Sequence, residues 1–222
     1  MGNNIKGFFF DFDNTIADDY TFIIDCFIYT FRKMGIDFKT SDIDSFMGLK
    51  QRDILSKFID NDNEIQNAMK IFDSYFESNY LKGVSIFKGI EDLIRTISVD
   101  FKLVIVSGGQ GDRIRKILKK YNLYNNFEYI ISSQDVVYPK PNPEGLNLAL
   151  KYSGLQSNEI IYIGDSSSDY ELCENAKVKF ILATWGSDIT FNSILDKVDV
   201  RFDKPELLTD YIYKYFFKNS PV

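Results

Sequence analysis

The stretch Phe8-Phe9-Phe10-Asp11-Phe12-Asp13-Asn14-Thr15 decides how the rest of the chain is read. An apolar run that stops at two carboxylates reads as a buried strand delivering acidic groups to a sheet edge. Residues two apart on an extended chain point the same way, so Asp11 and Asp13 are expected to share one site. Adjacent carboxylates repel, so a cation or a proton must hold them together. Mg²⁺ takes oxygen ligands and leaves room for a substrate phosphate. Taken alone, the same residues also fit a strand end followed by an Asx-rich turn.

Downstream of Thr15 the period changes. Residues 21–33 are apolar on a wide face and too long for one strand, which predicts a helix. Ser41 is expected to cap a short helix at 42–47. Helical spacing continues at Ile54, Leu55 and Phe58. Ile65, Ala68, Met69 and Phe72 then recur at i, i+3, i+4 and i+7, the stripe of an amphipathic helix. Residues 17–85 therefore read as all-helical. From Ile86 helices at 90–98, 111–121, 143–152 and 168–175 alternate with strands at 102–106, 128–131, 160–163 and 179–183. A last strand–helix unit falls in 198–216. Such alternation builds a parallel sheet covered by helices on both faces, joined by the strand at 7–11. The expected fold class is α/β. A discontinuous core at 1–16 and 86–222 carries an inserted helical domain at 17–85.

Composition narrows the chemistry. A chain of 222 residues has room for one large domain or a core with a small insert. A net charge of −6 argues against a broad nucleic-acid-binding face. It leaves room for an anionic small substrate, because one metal ion and one Lys reverse the local field. The absence of histidine excludes His-based general bases, Ser-His-Asp triads and His-ligated zinc, so carboxylates must carry any proton transfer. Cys26 and Cys173 form neither a zinc motif nor a disulfide framework and read as core filler in a reduced compartment. The apolar run at 8–10 is too short for a signal peptide or a membrane span. Met1-Gly2 opens a myristoylation-like pattern, but Lys6 stands where Ser or Thr is wanted. A cytoplasmic protein with no membrane or nucleic-acid partner is expected, and its oligomeric state is not readable.

In an open parallel sheet, ligands bind beyond the carboxyl ends of the strands. Each strand end that should line the site carries a suitable group. The first ends at Asp11 and Asp13, the second at Ser107-Gly108-Gly109. The strand at 160–163 ends at Gly164-Asp165, with Asp169 four residues on. Lys140 lies in Pro139-Lys140-Pro141-Asn142-Pro143, after the strand at 128–131. Each has a plain alternative: Ser107-Gly108-Gly109 as a turn, Lys140 as a solvated charge, Asp165 and Asp169 as a helix cap and a first-turn acid.

Together these residues resemble the haloacid dehalogenase superfamily of phosphohydrolases. Asp11-Phe12-Asp13-Asn14-Thr15 matches its first motif, Ser107 after Val104-Ile105-Val106 the second, Lys140 the third, and Gly164-Asp165-Ser166-Ser167-Ser168-Asp169 the fourth. The resemblance spans nearly the whole chain. It implies a Rossmann-like core with a helical cap inserted after the first motif, closest to the phosphoglycolate phosphatase-like branch. It further implies a phosphatase acting on a small phosphorylated metabolite. Asp11 would be the nucleophile, forming an aspartyl-phosphate. Asp13 would act as acid and then base. Mg²⁺ would be held by Asp11, the backbone carbonyl of Asp13 and Asp165, with Asp169 in support. Ser107, Gly108 and Lys140 would bind the transferring phosphoryl group. Thr15 is assigned to tying the loop.

Finer features discriminate within the branch. Dehalogenases and phosphonatases lack an Asp at the place of Asp13, so its presence favours phosphate-ester chemistry. The segment Met47-Gly48-Leu49-Lys50-Gln51-Arg52-Asp53 resembles the specificity loop of the cap. Gln51 stands where phosphonoacetaldehyde hydrolase has its Schiff-base Lys and where β-phosphoglucomutase has an Arg, which weakens both readings. Lys50 and Arg52 are placed to reach an anionic leaving group on cap closure, and both also fit as helix-surface charges. The hinges are expected near 16–20 and 83–88. A β-phosphoglucomutase-like phosphotransferase, a pyrophosphatase or nucleotidase, and a non-catalytic binding protein on the same fold remain the alternatives.

Overall fold

The computed structural model describes residues 4–46, 49, 51–186 and 193–217. The chain divides into two compact units, Met1–Asp18 with Ser85–Val222, and Asp19–Val84.

The first unit is built around β1 (Gly7–Phe10), whose residues are all buried. A strand apolar on both faces needs cover on both, which a parallel sheet with crossover helices supplies. The chain leaves this unit through β2 (Ala17–Asp18) and re-enters it through β3 (Ser85–Ile86), which pair antiparallel. β1 runs parallel to β4 (Lys102–Val106) on one side and to β6 (Ile160–Gly164) on the other. β5 (Tyr129–Ile131) extends the sheet beyond β4. β7 (Lys179–Ala183) and β8 (Arg201–Phe202) extend it beyond β6, giving the order β5-β4-β1-β6-β7-β8. The winding direction reverses at β1. The crevice beyond the carboxyl ends of β1, β4 and β6 is therefore the switch point of the sheet.

The three phenylalanines of β1 divide between the two faces, as the two-residue period requires. Phe9 packs with Val104, Leu146, Tyr162 and Leu172. Phe8 meets Phe101 and Phe216 edge-on, and Phe10 meets Phe127. All three are fully buried, each contributing roughly 1.5–3 kcal/mol of transfer free energy.

The second unit holds α1 (Tyr20–Met34), α2 (Thr40–Asp44), α3 (Gln51–Leu55) and α4 (Asp62–Gly83). Its core is aromatic: Phe22 packs on Phe76 and Phe27 on Phe72, with ring centroids 5.2 and 4.7 Å apart. Asn61 caps α4 by accepting from the amides of Asn63 and Glu64. Two local expectations are corrected. Ser41 does not cap α2; the helix starts at Thr40 behind Lys39, because the Asp42 amide already donates to the Lys39 carbonyl. Residues 17–18 and 85 lie in the β2–β3 ribbon and not in helices. Strands of two residues are too short to carry a readable period.

The later crossovers are α5 (Ile90–Ile97), α6 (Gly111–Lys120), α7 (Glu144–Ser153) and α8 (Ser167–Ala176), and α9 (Pro205–Phe216) follows the last strand. No helix among the described residues is long and apolar enough to cross a membrane.

Candidate active site

Asp11 is the first residue past β1. Its amide still donates to the Ile163 carbonyl at 2.9 Å, so the sheet ladder fixes its backbone. The chain then turns, with the amides of Ile16 and Ala17 both donating to the Phe12 carbonyl and Asn14 in the left-handed region at φ 58°. Asn is among the residues that tolerate that region. Thr15, fully buried, donates through Oγ1 to Asp165 Oδ1 at 3.1 Å, and its carbonyl accepts from Trp185 Nε1 at 2.9 Å. The tie assigned to Thr15 thus joins the loop after β1 to the loop after β6.

Ser107 follows β4, its amide held by the Ile131 carbonyl. Its Oγ accepts from the Gly109 amide at 2.9 Å and hydrogen-bonds the Asp13 carboxylate. A Cβ on Gly109 would lie 3.0 Å from Asp13 Oδ2 and 3.2 Å from Ser107 Oγ. The glycine requirement therefore falls on Gly109. Gly108 has open space around its Cα and lines, with Ser107 and Lys140, a cavity of about 260 Å³.

Past β6, Ser166 caps α8 in a reciprocal box with Asp169. Its Oγ accepts from the Asp169 amide, and Asp169 Oδ2 accepts from the Ser166 amide and hydroxyl. This leaves Asp169 Oδ1 facing Lys140. The Lys140 ammonium donates to Asp11 Oδ1 at 2.5 Å, to Asp169 Oδ1 at 2.8 Å and to Tyr162 Oη at 2.8 Å. The loop that delivers Lys140 is braced by Glu144, whose carboxylate accepts from the amides of Val137 and Tyr138.

Asp11, Asp165 and Asp169 are all buried and offer carboxylate oxygens that lie within 4.8 Å of one another. An all-oxygen donor set of this kind suits a hard divalent cation such as Mg²⁺. Among the described residues the Asp13 carboxylate is outside this group, on the Ser107 side. Burial pushes the Asp11 carboxyl up to about 7 against the pull of Lys140, with the charges of Asp169 and Asp13 adding to the rise. Burial also raises Asp13, opposed by Lys140, Arg113 and the Ser107 hydrogen bond. Burial works against the Lys140 charge, but Asp11 and Asp169 outweigh it and hold the ammonium above its ordinary value. Cys26 is pushed up to about 12 and Cys173 further, both first by burial, which keeps these thiols inert.

The crevice thus brings Asp11, Asp13, Ser107, Gly108, Lys140, Asp165 and Asp169 together. Lys50 lies outside the described residues. Arg52 pairs with Asp62 at 2.9 Å within the helical unit. Two further residues at the site are not marked by any motif, Arg113 and Tyr162. A Tyr in the middle of the buried strand Ile160-Ile161-Tyr162-Ile163 does carry a signal, because a buried phenol needs a partner.

Residues 8–183 match the family model for haloacid dehalogenase-like hydrolases. A pyrophosphatase PpaX of Listeria monocytogenes serotype 4b is 29% identical over 189 residues, 83% of this chain and 86% of its own length. A phosphoglycolate phosphatase of Pectobacterium atrosepticum is 24% identical over 141 residues, 63% of this chain and 60% of that one. A haloacid dehalogenase-like hydrolase of Streptococcus pneumoniae superposes with a TM-score of 0.81 at 22% identity, covering 94% of this chain and 99% of that structure.

Proposed function

Since the chain belongs to the haloacid dehalogenase-like hydrolases and is a phosphohydrolase of the phosphoglycolate phosphatase-like branch, we propose that it is a Mg²⁺-dependent phosphatase cleaving a small phosphorylated metabolite through an aspartyl-phosphate. One observation carries this reading: a half-buried ammonium is shared by the buried Asp11 and Asp169, beside Asp165, at the switch point of the sheet.

A carboxylate oxygen of Asp11 attacks phosphorus and the bond to the leaving oxygen breaks. Asp13 gives that oxygen a proton, then takes one from the water that hydrolyses the acyl phosphate. A carboxyl raised by burial is protonated closer to neutral pH than an ordinary one, which suits the first of these roles. The Ser107 hydroxyl, nearby amides and Lys140 stabilise charge on the phosphoryl oxygens. Asp11, Asp165 and the Asp13 carbonyl would hold Mg²⁺, with Asp169 in support. Bound there, the ion supplies positive charge that offsets repulsion between the nucleophile and a phosphate dianion. Substrate choice is assigned to the helical unit, including Lys50 and Arg52. The cytoplasm is the proposed compartment.

The longer and more similar match to a pyrophosphatase supports inorganic pyrophosphate as a second substrate reading. The test is phosphate release from a panel containing phosphoglycolate, sugar phosphates, nucleotides and pyrophosphate, with EDTA and Asp11→Asn as controls. Release that needs Mg²⁺ and vanishes in Asp11→Asn is expected. Turnover only when a sugar bisphosphate is supplied would instead identify a mutase.

A further inference from the structure

Lys140 has a partner that no motif marks. An ammonium carries three N–H donors. Here all three are engaged, by Asp11 Oδ1, Asp169 Oδ1 and Tyr162 Oη. Two of these acceptors belong to the carboxylate cluster suited to a divalent cation. Asp11 must also turn an oxygen toward phosphorus. Both carboxylates thus have a second duty at the site, which divides their hold on the Lys140 ammonium. Tyr162 has no such competing duty. It is fully buried on β6, the strand next to β1. Its hydroxyl lies 2.8 Å from the Val106 carbonyl, as donor, and 3.2 Å from Asp169 Oδ1. A phenol has one proton, and the shorter contact directs it to Val106, the residue before Ser107. The phenol oxygen then presents a lone pair to Lys140. The ring is packed between strands, with Phe180 as a stacked neighbour.

We propose that Tyr162 is a positioning residue: it retains the Lys140 ammonium when metal and substrate claim Asp11 and Asp169, and aims it at the transferring phosphoryl group. This rests on the reading of the crevice as a Mg²⁺-dependent phosphoryl-transfer site. A free Lys stem has four carbons of freedom, so an ammonium without that anchor is spread over many positions. The anchor also links two phosphoryl-binding groups, because one hydroxyl is tied at once to the end of β4 and to Lys140.

The test is calorimetric binding of inorganic phosphate at saturating Mg²⁺ to wild type, Tyr162→Phe, Lys140→Met and the double variant. Mg²⁺ binding alone is measured on each. Tyr162→Phe is expected to weaken phosphate about tenfold, the worth of one hydrogen bond to a charged group. Mg²⁺ affinity should change less than phosphate affinity, and the substitution should cost nothing further in the Lys140→Met background. Unchanged phosphate affinity in Tyr162→Phe, or losses that add in the double variant, would overturn the proposal. If Tyr162→Phe does not fold, the wild-type protein still decides by NMR of its lysine ammonium groups. A Lys140 signal protected from exchange with Mg²⁺ bound is expected, and one that exchanges like surface lysines overturns the assignment. A wild-type protein that binds neither Mg²⁺ nor phosphate overturns the reading of the site itself, a different result from all of these.

Discussion

Asp11 must be anionic to ligate a metal or attack phosphorus, yet burial holds its carboxyl at about 7. The folded-state value lies above the ordinary 3.8, so between those two values the folded protein holds a proton that the unfolded chain releases. The stability this group contributes to the metal-free protein is present at low pH and is lost as pH rises through about 7. Metal binding must displace the same proton. Mg²⁺ affinity is therefore expected to rise about tenfold per pH unit below pH 7 and to level off above it. Isothermal titration at pH 5.5, 6.5 and 7.5 measures the slope, and a flat profile would show that Lys140 already keeps Asp11 ionised. Residue by residue, the sequence reveals the groups whose spacing is fixed by the backbone, Asp11 with Asp13 and Asp165 with Asp169. It does not reveal partners set by long side chains crossing between strands. Lys140 reaching Tyr162 is such a pair, 22 residues apart in the chain.

Elements decide how much freedom each site residue keeps. β6 ends at Gly164, where an added Cβ would stand 2.7 Å from Asp169 Cγ. Asp169 cannot give way, because both its oxygens are already held, by Ser166 on one side and by Lys140 and Tyr162 on the other. Gly164→Ala is therefore expected to cost 1–3 kcal/mol, about the range for overpacking a filled site, and to lower Mg²⁺ affinity. Gly35→Ala, at the end of α1 with φ 69° and nothing within 4 Å, should cost about 1–2 kcal/mol from backbone strain alone and leave Mg²⁺ binding intact. Urea denaturation and metal titration of the two variants separate the cases, and equal loss of Mg²⁺ affinity in both would refute the argument. The same contrast explains which elements are legible. β4 and β7, five residues each, stand out as apolar runs between helices. β2, β3 and β8 have two residues each and owe their pairing to where longer elements bring the chain.

At the scale of the whole molecule the chain interrupts one folding unit to build another. The interruption is structurally economical, because the two ends of the helical unit leave from neighbouring points: Asp18 and Ser85 are paired across β2 and β3. An antiparallel pair of this kind can be closed by a turn of two residues. The core of the helical unit is its own, made of Phe22, Phe27, Phe72 and Phe76, and the core of the sheet unit draws on β1, β4, β6 and their crossover helices. Each unit thus has an apolar core of its own. A chain in which Asn-Gly replaces Asp19–Val84 is accordingly expected to fold, with a cooperative unfolding transition and retained Mg²⁺ binding, since Asp11, Asp165 and Asp169 all lie in the sheet unit. If the helical unit sets substrate choice, the shortened protein should still release phosphate from an activated aryl phosphate while losing its preference among the panel substrates. Circular dichroism, metal titration and the substrate panel read the three consequences separately. Loss of the folded core would mean that the helical unit stabilises the sheet unit as well as selecting its substrate. Unchanged selectivity in a folded core would move the specificity determinants to the loops around Ser107 and Lys140.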